Sequence, residues 1–186
     1  MLAPENTLAA AELAADHQAL GFETDIRISV DGVPFLMHDE TLARTTNIGE
    51  VYPERLSNRA SAFSIDELKT LNAGLWFIQK DPFNTIAEGL ISQRQLSINQ
   101  GQKIPTLEEA LAVVETENLV FLFDLLHPPQ DHPYYDDFFE IVLTQCKESG
   151  LRNDIWFLLN QEQLEIVEES APQMTRVAGV SSIDLP

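Results

Sequence analysis

The sequence predicts an α/β protein with a parallel sheet covered by helices, as in an α/β barrel or a doubly wound sheet. The first observation is texture: from Pro105 onward, apolar strand-like runs alternate with helical ones. The second is that Leu119 to Leu126 is almost continuously apolar, as a strand buried on both faces must be. The third is that no Gly-rich phosphate loop speaks for the doubly wound alternative.

The elements follow in order. Pro4 to Leu20 is Ala- and Leu-rich, with Pro near its start and Gly21 just past its end, which predicts a helix. Phe22–Ser29 and Val33–His38 flank Asp31-Gly32 and read as two extended segments joined by a tight turn. Leu42 to Ser64 is polar and irregular. Ser64 opens an S-x-x-E capping box before a short helix, and Asn72 to Gln102 reads as a long loop region carrying Trp76 and Phe77. Thr106 caps a helix running to about Glu117, and Tyr134–Ser149 is a helix closed by Gly150. Asp154–Leu159 is a second buried strand, Gln161–Ser170 a helix and Met174–Val180 a further strand. There is neither an internal repeat nor a low-complexity segment.

Composition narrows the function. The chain has 186 residues, enough for one domain, and 44% hydrophobic with 22% charged residues places it among globular proteins. A net charge of -19 disfavours nucleic acid and anionic membrane surfaces as partners and favours cations and solubility. Apolar runs fall well short of the roughly 20 residues that span a bilayer, and no basic-then-apolar leader is visible at the start. Cys146 is the single cysteine, so an internal disulfide is excluded; it reads as a small, partly buried side chain of a helix rather than a reactive thiol.

The chemistry concentrates between Phe22 and Asn47. On a strand, residues i and i+2 share a face, so Glu23 and Asp25 present two oxygen ligands side by side, as a hard cation requires. Arg27 shares that face. His38-Asp39 adds a titratable base at the end of the next extended segment, and Asp124 is a lone acid in an apolar strand, where it needs a cation, a base or a hydrogen-bond network. Each alone reads equally as a solvated or structural group; together they can converge at one barrel mouth. His127 reads as a structural or solvated residue of a Pro-rich turn, and His17 and His132 have no evident partner.

The residues also carry a resemblance. Ala3-Pro4-Glu5-Asn6-Thr7, Phe22-Glu23-Thr24-Asp25, Asp31-Gly32-Val33-Pro34, His38-Asp39, Leu42 with Arg44-Thr45-Thr46-Asn47, and Ile104-Pro105-Thr106-Leu107-Glu108-Glu109 follow the ordered pattern of the glycerophosphodiester phosphodiesterase family. The segments Leu71 to Gly74, Trp76-Phe77, Asp81-Pro82-Phe83, Phe123-Asp124-Leu125, Pro128-Pro129 and His132-Pro133-Tyr134 are similar to the subgroup whose catalytic domain is an ectodomain of a multi-pass membrane protein.

This resemblance implies a TIM-type (β/α)8 barrel, with the active site at the C-terminal ends of the strands. It implies Glu23, Asp25 and Asp124 as ligands of a divalent metal, Ca2+ or Mg2+, and His38 as one of two catalytic histidines. Arg27 and Glu5 are candidate substrate-binding residues. Asp124 stands where most relatives carry a Glu, and Leu126 where a Lys is usual. The implied substrate is a small glycerophosphodiester or lysolipid-like molecule, in lipid metabolism, with no nucleic acid involved.

Relatives carry a His-Arg-Gly strand ahead of the Ala-Pro-Glu-Asn-Thr motif, and a whole barrel is typically ~250 residues. The expectation is therefore one partial catalytic domain over residues 1–186, an incomplete barrel without its first and last strands. Expressed alone it is expected to be inactive and poorly soluble, while its parent is expected to be membrane-anchored with an extracytoplasmic catalytic domain. Two other readings stand beside this one: a non-catalytic regulatory or binding ectodomain, and a phospholipase D-like lipid headgroup hydrolase.

Overall fold

A computed structural model describes residues 1–151, 154–159, 161–172 and 174–178. Its centre is a five-stranded sheet in the order β2-β1-β3-β4-β5, with β1 Gly21–Ile28, β2 Pro34–Leu36, β3 Val120–Leu125, β4 Ile155–Leu159 and β5 Thr175–Ala178. β1, β3, β4 and β5 run parallel, whereas β2 folds back antiparallel on the end of β1, pairing Ile26 with Leu36 and Ile28 with Pro34. The hairpin turns at Gly32, whose φ of 84° suits glycine, and the Gly32 amide donates to the Ser29 carbonyl at 2.9 Å. Parallel strands joined through helices form an arc of an α/β barrel, as the alternation predicts.

Strand alternation separates two faces. Ile26, Ile28, Phe121, Phe123, Ile155 and Phe157 point outward into the main core, all fully buried. That core is closed by α6 Leu107–Glu117, α7 Phe138–Glu148 and α8 Gln161–Ser170. Phe123 meets Phe157 edge to face, with ring centroids 4.8 Å apart. The opposite face, interior in a barrel, carries Glu23, Asp25 and Arg27 on β1 and Leu122 and Asp124 on β3. In parallel register Glu23 lies beside Leu122, and Asp25 beside Asp124.

Between β2 and α6 lies a long helical insertion. It comprises α2 Ile48–Val51, two 3-10 turns at Pro53–Arg55 and Ala60–Ala62, α3 Ile65–Thr70, α4 Leu75–Lys80 and α5 Gln93–Gln100. A second core under it gathers Phe35, Met37, Leu42, Phe63 and Leu68, and a third packs Trp76, Phe77 and Ile91. Both capping boxes form: Ser64 with Glu67 at α3 and Thr106 with Glu109 at α6.

Four expectations change, one being the helix expected over Tyr134–Ser149, which runs Phe138–Glu148. The first helix, α1, is Leu8–Asp16 rather than Pro4–Leu20. Asn6, with φ 52°, takes the left-handed conformation that breaks a helical start, and Gln18, with φ 58°, does the same at the far end. The Asn72–Gln102 region is not one loop but holds α4 and α5; α5 reads QRQLSINQ, and so few apolar residues give no helical stripe. The last strand is Thr175–Ala178; Met174 precedes it, and residues 179–180 of the expected span lie outside the described residues.

Candidate active site

The site is assembled at the C-terminal end of β1. A cleft of about 290 Å³ is lined by Met1, Glu5, Asn6, Glu23, Asp25 and His38, so four of the six expected site residues meet in one place. Asp124 enters from β3 through its register with Asp25, while Arg27 lies two residues further along the same face.

Asp25 is nearly buried at 8% exposure and is held from both ends by one side chain. Asn6 donates its Nδ2 to Asp25 Oδ2 at 3.1 Å, and its Oδ1 accepts from the Asp25 amide at 3.1 Å and from the Thr24 hydroxyl. The left-handed backbone at Asn6 turns its side chain onto the strand, a conformation asparagine adopts more readily than most residues. Asn6 therefore positions a carboxylate rather than capping α1, whose N-cap is Thr7. The segment that carries it is tied down by Asn99 Nδ2 donating to the Leu2 carbonyl at 2.9 Å and by the Thr85 hydroxyl donating to the Met1 carbonyl at 3.1 Å.

Glu23 reports the local electrostatics. Burial, then the like charges of Asp25 and Asp124, hold its carboxyl above the usual carboxylate range, while His38 acts in the opposite sense. Three carboxylates gathered at one place form a negative site that a cation would relieve. All three offer hard carboxylate oxygens, the donor chemistry of Ca2+ and Mg2+. Among the described residues, no group of three or more His, Cys, Asp or Glu side chains encloses a point where a metal ion could be held. The donor set and its charge fit a divalent cation; a closed coordination cage is not formed.

His38 reaches solvent, with its side chain 62% exposed, and its Nδ1 lies 2.8 Å from Asp39 Oδ1. That hydrogen bond, first among several influences, raises its pKa above the ordinary histidine value. Asp39 is fixed in turn by Arg44, which donates to Oδ2 at 2.6 Å and to Oδ1 at 2.7 Å. The same guanidinium grips Glu5 through a second fork, at 2.8 and 2.5 Å, and lies 5.9 Å from the Trp76 ring centre. Hydrogen bonding to Arg44 holds the Asp39 carboxyl down to about 2, so it stays an acceptor for His38 at any pH of interest.

Among the described residues, Arg27 hydrogen-bonds no carboxylate. Its Nη2 donates to the His38 carbonyl at 2.6 Å, bracing the residue from behind. Glu5 both lines the cleft and anchors Arg44. His127 packs its ring against Tyr135 and Phe138, each 5.3 Å between centroids, and desolvation lowers its pKa. His132 finds a structural role: its Nδ1 accepts from the Tyr134 amide at 3.2 Å, so its Nε2 donates to the Ser61 carbonyl at 3.2 Å. Cys146 is fully buried, and burial pushes its thiol well above the ordinary range. Asn6 reads from the sequence as a capping or loop-fixing residue, and Arg44 is marked only by its place in an ordered motif; the structure gives both a part in the site.

With this geometry in hand, the comparison with known proteins is decisive. The profile of the glycerophosphoryl diester phosphodiesterase family matches residues 1–163. The chain belongs to the glycerophosphoryl diester phosphodiesterase family. It is 44% identical over 179 residues to the glycerophosphoinositol inositolphosphodiesterase of Mus musculus, a match covering 96% of this chain and 33% of that protein. It is 37% identical to glycerophosphodiester phosphodiesterase domain-containing protein 5 of Gallus gallus, across 97% of this chain and 30% of that one. Among solved structures, the glycerophosphodiester phosphodiesterase of Agrobacterium tumefaciens superposes with a TM-score of 0.65 at 27% identity, covering 94% of this chain and 60% of that one. An Oleispira antarctica phosphodiesterase in complex with the product sn-glycerol-3-phosphate superposes with a TM-score of 0.67 at 25% identity, with the same coverage of each. This family member thus spans about a third of the length of those curated relatives, and its sheet is part of the family's TIM barrel.

Proposed function

We propose that the protein containing this sequence hydrolyses glycerophosphodiesters, releasing an alcohol and glycerol phosphate or a related phosphate. The observation that carries the reading is the single cleft where Glu23 and Asp25 meet His38, in a chain of this family. The phosphodiester is anionic, so hydrolysis needs its charge neutralised and the leaving alkoxide protonated.

In this reading Glu23, Asp25 and Asp124 hold a divalent cation, Ca2+ or Mg2+. When bound, the cation supplies charge neutralisation at the phosphoryl oxygens. The remaining work falls to the chain. Asn6 keeps the Asp25 carboxylate oriented. Asp39 keeps the His38 ring fixed through Nδ1, so Nε2 is the nitrogen that exchanges a proton with the leaving or attacking oxygen. Its raised pKa keeps the imidazolium populated to higher pH, which suits donation to the leaving oxygen. Glu5 lines the cleft wall beside them and provides a hydrogen-bond acceptor for a substrate hydroxyl.

The test is the double variant Glu23→Gln, Asp25→Asn in the full-length protein. Calorimetric cation binding and hydrolysis of glycerophosphodiesters should both be lost, and unchanged activity would overturn the metal assignment. His38→Ala should retain cation binding while losing about 10²- to 10⁴-fold in rate.

The chain has four histidines, and His38 is the one that lines the cleft. A mechanism that divides acid and base roles between two groups therefore has one of them here. We read residues 1–186 as part of one catalytic domain whose hydrolysis, when this chain is assayed alone, is undetectable. We also read the parent protein as membrane-anchored with its catalytic part outside the cytoplasm; the ectodomain-like segments support this, and none of the described helices is long and apolar enough to cross a membrane. Protease accessibility of the intact protein in sealed vesicles tests that orientation.

A further inference from the structure

A second cleft, of about 260 Å³, is lined by Arg27, Arg59, Glu40, Ser61, His127 and the Pro128-Pro129 turn. The chain holds only 11 basic residues against 30 acidic ones, yet two guanidinium groups face this one space. Arg59 is placed by backbone pairing, through its bridge to Thr41 and the Ala60 amide bonded to the Glu40 carbonyl at 2.8 Å. Glu40 pairs with Arg59 Nε at 2.7 Å, so one carboxylate is set against two cations.

Arg27 supplies the independent sign that something is bound. Its Nη2 is satisfied by the His38 carbonyl, but its Nε is buried and has no hydrogen-bond partner, one of two such side-chain atoms among the described residues. A buried guanidinium N–H without an acceptor costs the full desolvation of that donor, and such groups are rare unless a ligand completes them. Nearby acids do not fill the role: Asp25 is engaged by Asn6, and Asp39 by Arg44 and His38. His127 follows β3 at the same end of the sheet, its ring packed against Tyr135 and Phe138, and adds a neutral N–H donor. The two prolines cannot donate, and Ser61 completes the wall.

We propose that Arg27, Arg59 and His127 form an oxyanion-binding subsite beside the candidate active site. It receives a second negatively charged group, carboxylate or phosphoryl, carried by the alcohol part of the diester. The identity of the larger molecule rests on the phosphodiesterase reading; the oxyanion site rests on the cleft's own residues. Because the Arg27 guanidinium also holds the His38 backbone, occupancy of the subsite is coupled to the placement of the proton-transfer group. Substrates whose alcohol carries an anion are thereby favoured over those whose alcohol is neutral.

The experiment titrates the full-length protein with inorganic phosphate in the presence of EDTA, following the arginine Nε–Hε resonances by NMR. Chelation silences any phosphate binding that needs a cation at Glu23 and Asp25. Saturable shifts of the Arg27 and Arg59 signals are expected, with half-saturation at about 1–10 mM. Arg59→Gln, exposed enough to leave the fold intact, should weaken this by about tenfold, and Glu40→Gln should tighten it. Acetate in place of phosphate tells a carboxylate subsite from a phosphoryl one by which saturates first. Absence of saturation up to about 100 mM, or equal binding in Arg59→Gln, overturns the proposal. The phosphodiesterase reading stands or falls separately, on cation binding lost in Glu23→Gln, Asp25→Asn and kept in Arg59→Gln.

Discussion

At the scale of single residues, His38 is governed by a relay of fixed charges. Arg44 locks Asp39, and Asp39 hydrogen-bonds the imidazole, so the carboxylate that raises the pKa of an exposed ring is itself held by a residue the ring never touches. Replacing Asp39 with Asn should lower the His38 pKa, as read by NMR titration of its ring protons; Asp25 and Glu5 still raise it, and desolvation still opposes them. The sign for stability follows. A histidine whose folded pKa is raised contributes stability that is present in full below about 6.5 and is lost as pH rises through the higher folded value. Asp39 does the reverse: its contribution is present above about 3.8 and disappears as pH falls through about 2. In Asp39→Asn the Asp39 contribution vanishes and the His38 contribution shrinks, so the unfolding midpoint should become flatter with pH at each end. An unshifted His38 titration would contradict the relay.

Among elements, the helices differ in how they are specified. α6 carries its start signal locally, with the Thr106 hydroxyl accepting from the Glu109 amide at 3.2 Å and the Glu109 carboxylate accepting from the Thr106 amide at 2.8 Å. Thr106→Ala should cost about 1 kcal/mol in urea denaturation. Its far end is closed by Asn118 in the left-handed conformation, φ 54°, as a C-terminal stop requires. Such helices were readable from the sequence because cap and stripe lie within a dozen residues of each other. α4 and α5 were not, since their stability comes from Trp76 and Phe77 packing on Ile91 and Leu96 across the insertion. The β1–β3 pairing rests on one glycine: a methyl at Gly21 would collide with the Val120 carbonyl. Gly21→Ala should therefore destabilise by about 1–3 kcal/mol, measured in the same denaturation assay.

For the whole molecule, the telling feature is the inner face of the sheet. Val120 and Leu122 of β3, with the 73%-exposed Leu20 at the rim, line an apolar hollow of about 290 Å³. β2 covers only the Ile26–Ile28 end of β1, so the strand's other half is not protected by that hairpin. A contiguous apolar face of this kind drives association. Sedimentation velocity over a tenfold concentration range should show self-association that Leu122→Gln reduces. A monomer with a sharp, cooperative thermal transition would contradict this.

The sequence by itself determined the local chemistry: two carboxylates on one strand face, His-Asp at the end of a hairpin, a lone acid on the next parallel strand, and the capping boxes that start α3 and α6. It also determined the family, because ordered motifs survive any rearrangement of loops. Only the tertiary structure decided which groups act on one another. Arg44 reaches Glu5 across 39 positions of the chain, Asn6 reaches Asp25 across 19, and Arg59 comes to face Arg27 over the turn after β3. The physical reason is that periodicity and caps depend on neighbours a few residues away. A guanidinium fork or an unpartnered N–H depends instead on where a long insertion returns, which is set by packing of three separate cores rather than by any local pattern.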